Sequence, residues 1–256
     1  MNTNFETFKL RAISKSWILA SVLDFLKFGQ IDEGQTLGRS RYEIPFASYK
    51  PVKLIQAPVV TQSSPTAING GVSIGTLNNV VAGDTLLLGF VFSNGNNATT
   101  FSFVESSGDT LVEQVSVNNA SFGQFAKIFT VQNASAGTHT VTVTGSTVNA
   151  GGLGAIFFEL APCTVQASQK NQNGISSSQI QLAANIVWQT GQFVFGIEYA
   201  AGSFGVLGTP GFTFQSLSGA TSACSGEYIA NATSAGSSLM YVDQSNSFVY
   251  VAVAMG

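Results

Sequence analysis

From about residue 57 to the C-terminus the chain is a succession of short apolar runs bounded by Gly, Asn, Ser and Thr. This punctuation constrains the fold more than any other feature. The runs read DTLLLGFVF (84–92), QFAKIFTV (124–131), THTVTVTG (138–145), AIFFEL (155–160), QFVFGIEY (192–199) and SFVYVAVAM (247–255). Several alternate, with Val141 and Val143 against Thr140, Thr142 and Thr144. Period-two patterns of β-branched and aromatic residues, closed by clusters such as SNGNN, SSGD and NAGG, mark strands. Many short strands with no convincing helix between them predict an all-β chain, an antiparallel sandwich of jelly-roll type over 57–256.

A weak internal echo runs through this region. GDTLLLGFVF (83–92) matches GQFVFGIEY (191–199), and each precedes a later aromatic strand, LGAIFFEL in one case and SFVYVAVAM in the other. The spacings differ, about 70 residues against about 55, which excludes a fixed-period solenoid. Two related halves sharing one sandwich fit this better, with two small tandem domains as the alternative.

The first 56 residues have another texture. Eight of the ten basic residues and five of the thirteen acidic ones lie before residue 54, so this part is net positive and the remainder net negative. Ser14 and Ser16 suit a helix start, an apolar run follows, and Lys27, Phe28 and Gly29 suit its end, which predicts a helix over about 14–28. The segment with Gly34, Gly38, Pro45 and Pro51 then reads as extended. The helix is too short, and with Asp24 and Lys27 too charged, to span a bilayer. Asp24 also shortens any signal-peptide core. Its scattered charges disfavour lying flat on lipid, so it is expected to be buried against protein through Trp17, Leu19, Val22, Leu23 and Leu26. The basic residues are spaced out and interleaved with acids, a pattern unlike a nucleic-acid arm.

Catalytic vocabulary is sparse. His139 is the only histidine, no G-x-S-x-G elbow accompanies it, and it reads as a solvent-facing strand residue. One histidine with the distant Cys163 and Cys224 cannot make a usual zinc set, and the two cysteines read as buried thiols. Glu159 and Glu198, each near the end of an apolar strand, are the only acid pair worth examining for glycoside hydrolysis. The N-x-S/T triplets at Asn97, Asn119, Asn133 and Asn231 are of a number that chance supplies in so polar a chain. No cofactor motif or catalytic residue is assigned, and a non-enzymatic protein is expected.

The elements VAGDTLLLGFVF, ASAGTHTVTVTG, TGQFVFGIEY and FVYVAVAM resemble a jelly-roll-like β-sandwich family that recurs in bacteriophage virion appendage and decoration proteins and in bacterial extracellular proteins. The resemblance covers 57–256. It implies a structural role in a virion, as a fibre, spike or decoration subunit, with residues 1–56 as an arm anchored to other virion proteins. Such subunits are commonly homo-oligomers, often trimers. The rival expectation is a secreted adhesin or carbohydrate-binding module that holds a host-surface glycan. Phe204, Phe212, Phe214 and Tyr228, with Asn and Gln neighbours, are its candidate contacts.

Overall fold

The computed structural model describes residues 50–63, 68–93, 100–146, 152–173, 181–201, 206–207, 211–217, 222–242 and 247–256. The expected helix at 14–28 with its contact residues Trp17, Leu19, Val22, Leu23 and Leu26, and the aromatic Phe204, lie outside the described residues.

The strands fall into two successive sets. The first comprises β1 (Val59–Ser63), β2 (Val72–Val80), β3 (Thr85–Ser93), β4 (Phe101–Glu105), β5 (Val112–Asn119), β6 (Gln124–Val131), β7 (Gly137–Gly145) and β8 (Gly152–Leu160). The second comprises β9 (Val165–Asn173), β10 (Gln181–Trp188), β11 (Phe193–Ala201), β12 (Val206–Leu207), β13 (Thr213–Ser216), β14 (Ser222–Ile229), β15 (Gly236–Val242) and β16 (Ser247–Met255). Among the described residues the only helical turn is a 3-10 turn at Ala120–Phe122.

The two sets have the same topology. The first builds a five-stranded sheet of order β1-β8-β3-β6-β5 and a three-stranded sheet β2-β7-β4. The second builds β9-β16-β11-β14-β13 and β10-β15-β12, which is the first order with each strand advanced by eight. All pairings are antiparallel. A turn ahead of β3 and β11 repeats in detail. Gly83 and Gly191, at φ of 93° and 87°, occupy a conformation that costs other residues strain. The Gly83 N–H donates to Ala134 O and the Ala134 N–H to Asp84 O, both at 2.9 Å. The Gly191 N–H likewise donates to Ala232 O at 2.7 Å, and the Ala232 N–H to Gln192 O at 2.9 Å. The triplets at Asn133 and Asn231 are therefore copies of one structural turn. The echo in the sequence joins β3 to β11 and β8 to β16, and the second spacing is shorter in part because β12 and β13 are shorter than β4 and β5.

Each half is a complete sandwich, and the halves share a third core between them. One apolar cluster, with Phe90, Phe92, Phe129 and Phe157, lies between the first five-stranded sheet and its three-stranded cover. A second, with Ile186, Trp188, Phe248 and Tyr250, lies under the cover of the second half. The largest joins the two five-stranded sheets, packing Leu87, Ile156 and Phe158 against Phe195, Ile197 and Val251. The layers are thus cover, sheet, sheet, cover. Across the middle, β3 meets β11, β6 meets β16, and β8 meets β14. Since β6 corresponds to β14 and β8 to β16, these contacts are reciprocal, as in an isologous dimer fused into one chain.

Residues ahead of 57 belong to this body. Val52 is buried in the central core, and its N–H donates to Gly191 O at 2.9 Å. The Ile55 N–H donates to Glu159 O at 2.9 Å, and Leu54 bridges Leu160. The compact unit that ends at Gly256 includes the described chain from Lys50 onward.

Candidate functional site

The edges of the two five-stranded sheets meet where β5 lies against β9, and this seam carries two recesses. One, of about 460 Å³, is lined by Glu113, Gln114, Ser116, Ser168, Gln169 and Lys170. It adjoins another of about 540 Å³ that adds Asn118, Asn171 and Gln172 along the same two strands. Lys127 and Lys170, the only basic residues after Lys53, both stand here. The Lys127 ammonium donates to Glu113 Oε2 at 2.6 Å and lies 5.9 Å from the Phe129 ring centre. Ser116 Oγ donates to Glu113 Oε1 at 2.5 Å. Burial would raise the Glu113 carboxyl, but the hydrogen bonds from Lys127 and Ser116 and the charges of Lys127 and Lys170 outweigh it and hold the group below its usual range. Amides and hydroxyls that both donate and accept suit a hydroxylated ligand, while the carboxylate beside the Ser116 hydroxyl is tied to Lys127 and held below its usual range, which makes it a weak base.

Of the aromatic residues expected to contact a glycan, the three that the structure describes are not gathered there. Tyr228 packs its ring 5.2 Å from that of Phe158 and 5.8 Å from that of Phe193, in the central core. Phe212 sits edge-on to Trp188 at 5.4 Å. Phe214 is 38% exposed on the edge strand β13.

His139 is fully buried, which corrects the solvent-facing reading. On β7 the valines and His139 share the inward face, and the threonines only partly cover the other. Its Nδ1 lies 3.0 Å from Glu105 Oε1 and 3.9 Å from Asp109 Oδ2. Its Nε2 donates to Ser135 O at 2.8 Å. Asp109 Oδ2 accepts from the Ser135 N–H at 2.7 Å and from Ser135 Oγ at 3.0 Å. That backbone bond above all, working against desolvation, holds the Asp109 carboxyl below its usual range. Ser107 Oγ donates to Glu105 Oε2 and lies 3.3 Å from His139 Nδ1.

The residue types of a catalytic triad are therefore together, but their order is wrong for one. The serine hydroxyl is given to a carboxylate, and the second imidazole nitrogen is occupied by a backbone carbonyl. Ligand atoms of Glu105, Asp109 and His139 lie within 4.8 Å of one another, near enough to share a metal. Each is already engaged in bonds that tie the β4–β5 turn to the β6–β7 turn, which is the role this geometry performs. Replacing His139 by alanine would break its ties to Glu105 and Ser135, leaving Glu105 only its Ser107 and Asp109 donors, and is expected to cost about 3 kcal/mol. A chemical denaturation curve measures this, and a loss below about 1 kcal/mol would show that the cluster is not a staple.

The acid pair singled out in the sequence does not form a cleft. Glu159 points with Phe157 into the first sandwich, and Glu198 points with Val194 and Tyr250 into the second, so the central core separates them. Glu159 Oε1 accepts from the Val81 N–H at 2.8 Å, and its other oxygen accepts from Gln56. Beside it Asp84 is pushed up to about 6, by burial first and then by Glu159. Glu198 has a different neighbour that the sequence reading did not pair with it. Glu227 on the adjacent strand is also wholly buried and raises Glu198 by its charge. The sequence signal is a charged residue inside the otherwise apolar β11; β14, with Ser222 and Ser225, gives none for Glu227.

Cys163 and Cys224 are free and buried, as expected. Burial pushes their thiols up to about 11 and about 12, away from the range of a nucleophile. Comparison with protein-family models, with curated proteins and with solved structures finds no match to this chain.

Proposed function

We propose that this chain is a non-enzymatic structural protein of a bacteriophage particle, an appendage or decoration subunit held by its N-terminal arm. The observation that carries this reading is the fusion of two sandwiches through a continuous apolar core, giving a stiff body with polar, weakly charged strands outside. Such a body suits display and spacing, and the strongest polar clusters serve its turns rather than a substrate. Charge asymmetry adds support, since the basic excess sits in the arm and the acidic excess in the body. Several copies on a symmetric particle, or a homo-oligomer such as a trimer, would make weak arm contacts effectively tight.

A chain beginning at residue 48 is expected to fold and to be lost from assembled particles. Leu23→Asp in the full chain should reproduce that loss while leaving the melting temperature of the body unchanged. Normal incorporation of either variant in purified virions would place the anchor elsewhere.

The β5–β9 groove favours a second reading, a secreted adhesin or carbohydrate-binding module. Its amides and hydroxyls, with Lys170 exposed among them, fit a glycan better than an apolar ligand. Glycan-array binding lost on Gln169→Ala would support it, and an array without signal would remove it.

A further inference from the structure

Each half of the body serves as a control for the other, because the matched registers align their edge strands position by position. Lys127 pairs with Phe90 on β3, and its counterpart Ser225 pairs with Glu198 on β11. One strand further out, Ser116 on β5 corresponds to Ser216 on β13, and Glu113 to Phe214. At the opposite edges Val60 pairs with Ile156 and Lys170 pairs with Val251, the counterpart of Ile156, so Val60 and Lys170 correspond. The three charged residues of the β5–β9 seam thus stand where the other half has a serine, a phenylalanine and a valine. Phe214 and Val60 are exposed, as are Glu113 and Lys170, so the fold accepts uncharged residues at these surface positions.

The seam also differs in shape. The ladder of β5 with β6 skips Gln114 between Glu113 and Val115, whereas β13 pairs with β14 without a break from Thr213 to Ser216. Such a bulge bends a strand and re-aims its side chains, and Gln114 forms part of the wall of the first recess. Ser116 and Lys170 line both recesses, so a ligand lying along the seam passes this pair at its middle. Residues 113–118 of β5 extend along the two recesses for about 17 Å, a length that suits an extended ligand of several units. Glu113 is committed to Lys127 and Ser116, and its charge is balanced by that of Lys127. Lys170 therefore leaves the seam one positive charge in excess, with Gln169, Asn171 and Gln172 beside it on β9.

We propose that the β5–β9 seam binds an acidic oligosaccharide, a hydroxylated chain whose carboxylate or sulfate group is held by Lys170 where the two recesses adjoin. This rests on the glycan reading of the groove and adds the charge of the ligand to it. An ammonium is a point charge without the planar fork of a guanidinium, so it takes either anion. The amides and hydroxyls on either side bond to the hydroxyls of the flanking units and fix the direction of the chain.

Isothermal titration of the full chain with oligogalacturonate, its neutral methyl ester and dextran sulfate tests this. The ester is expected to bind about tenfold more weakly than the acid, since it lacks the charged partner of Lys170. Lys170→Gln, which keeps a polar side chain in the groove, should bring the acid down to the affinity of the ester and leave the ester unchanged. Lys53→Gln removes an exposed lysine that lines neither recess, and it should alter neither affinity, which separates a site from general attraction. A loss on Lys170→Gln confined to dextran sulfate would assign sulfate as the group held, and one confined to oligogalacturonate would assign the carboxylate. Equal binding of acid and ester, or acidic chains bound as tightly by Lys170→Gln as by the wild type, would overturn the acidic ligand while the glycan reading stands. Binding of none of the three would overturn both.

Discussion

Replacing Phe158 by alanine is expected to destabilise the body by about 3–5 kcal/mol and to bring down both halves in one transition. Phe158 belongs to the first half but stands edge-on to three rings of the second, 5.2 Å from Phe193, 4.9 Å from Phe195 and 5.2 Å from Tyr228. It is fully buried, so truncation loses its transfer energy and leaves a cavity that four stiff strands cannot close. The strands meet tightly here. A Cβ on Gly89 would fall 2.4 Å from the Phe195 ring, so this glycine is required for the two sheets to approach. Against a total stability of about 5–15 kcal/mol for an ordinary domain, the loss is large. Trp188 lies in the second sandwich, and its fluorescence reports on a half that does not contain the mutation. Guanidinium curves followed by that signal and by circular dichroism should coincide and shift together. A Trp188 transition unmoved by Phe158→Ala would mean that the halves are independent tandem domains.

The same core explains which parts of the fold could be read from sequence. β7 covers the first sandwich from outside, one face buried and one half-exposed, and its alternation of Val and Thr was plain. β3, β8 and β16 are buried at every position because both of their faces are covered. They read as continuous apolar runs, which identified them as strands. That continuity is also the mark of a sheet with layers on both sides, and it distinguishes two stacked sandwiches from one shared between halves. The edge strand β9, VQASQKNQN, has no such signature. It is polar in sequence because an edge that carries amides and Lys170 resists pairing with other chains.

The clusters were less legible because their members are distant in sequence. Ser107 and Glu105 reach His139 across 32 and 34 positions, through the pairing of β4 with β7. A lone histidine in an alternating strand shows nothing of that. Its phase did carry information: His139 alternates with the threonines and keeps step with Val141 and Val143, the inward set. Glu198 stands out in the sequence as an acid near the end of an apolar strand. Its neighbour Glu227 became apparent only when the register of β11 and β14 set the two acids on one face.

Those buried acids give the body an unusual dependence on pH. Burial, with the charge of Glu227 adding to it and the Ser225 bond opposing it, pushes Glu198 up to about 8 from 4.5. In the unfolded chain the group returns to its ordinary value. Between about 4.5 and 8 the folded protein therefore holds a proton that the unfolded chain has released, and stability falls as pH rises through that window. Below it both states are protonated, and above it both are ionised, so the dependence flattens at either end. Asp84, pushed up to about 6 from 3.8, slopes the same way over its lower window. For the fully buried Glu198 the loss across the whole window amounts to about 5 kcal/mol. The denaturation midpoint should therefore be highest near pH 5 and lower at pH 8, opposite to a protein held together by salt-bridged carboxylates. Glu198→Gln removes the proton exchange while keeping the Ser225 contact, so it should flatten the upper part of the slope and be more stable than wild type at pH 8. The slope that remains below pH 6 belongs to Asp84. A wild-type midpoint constant from pH 5 to 8, or a Glu198→Gln curve parallel to it, would mean that Glu198 is ionised in the folded state and already has a positive partner.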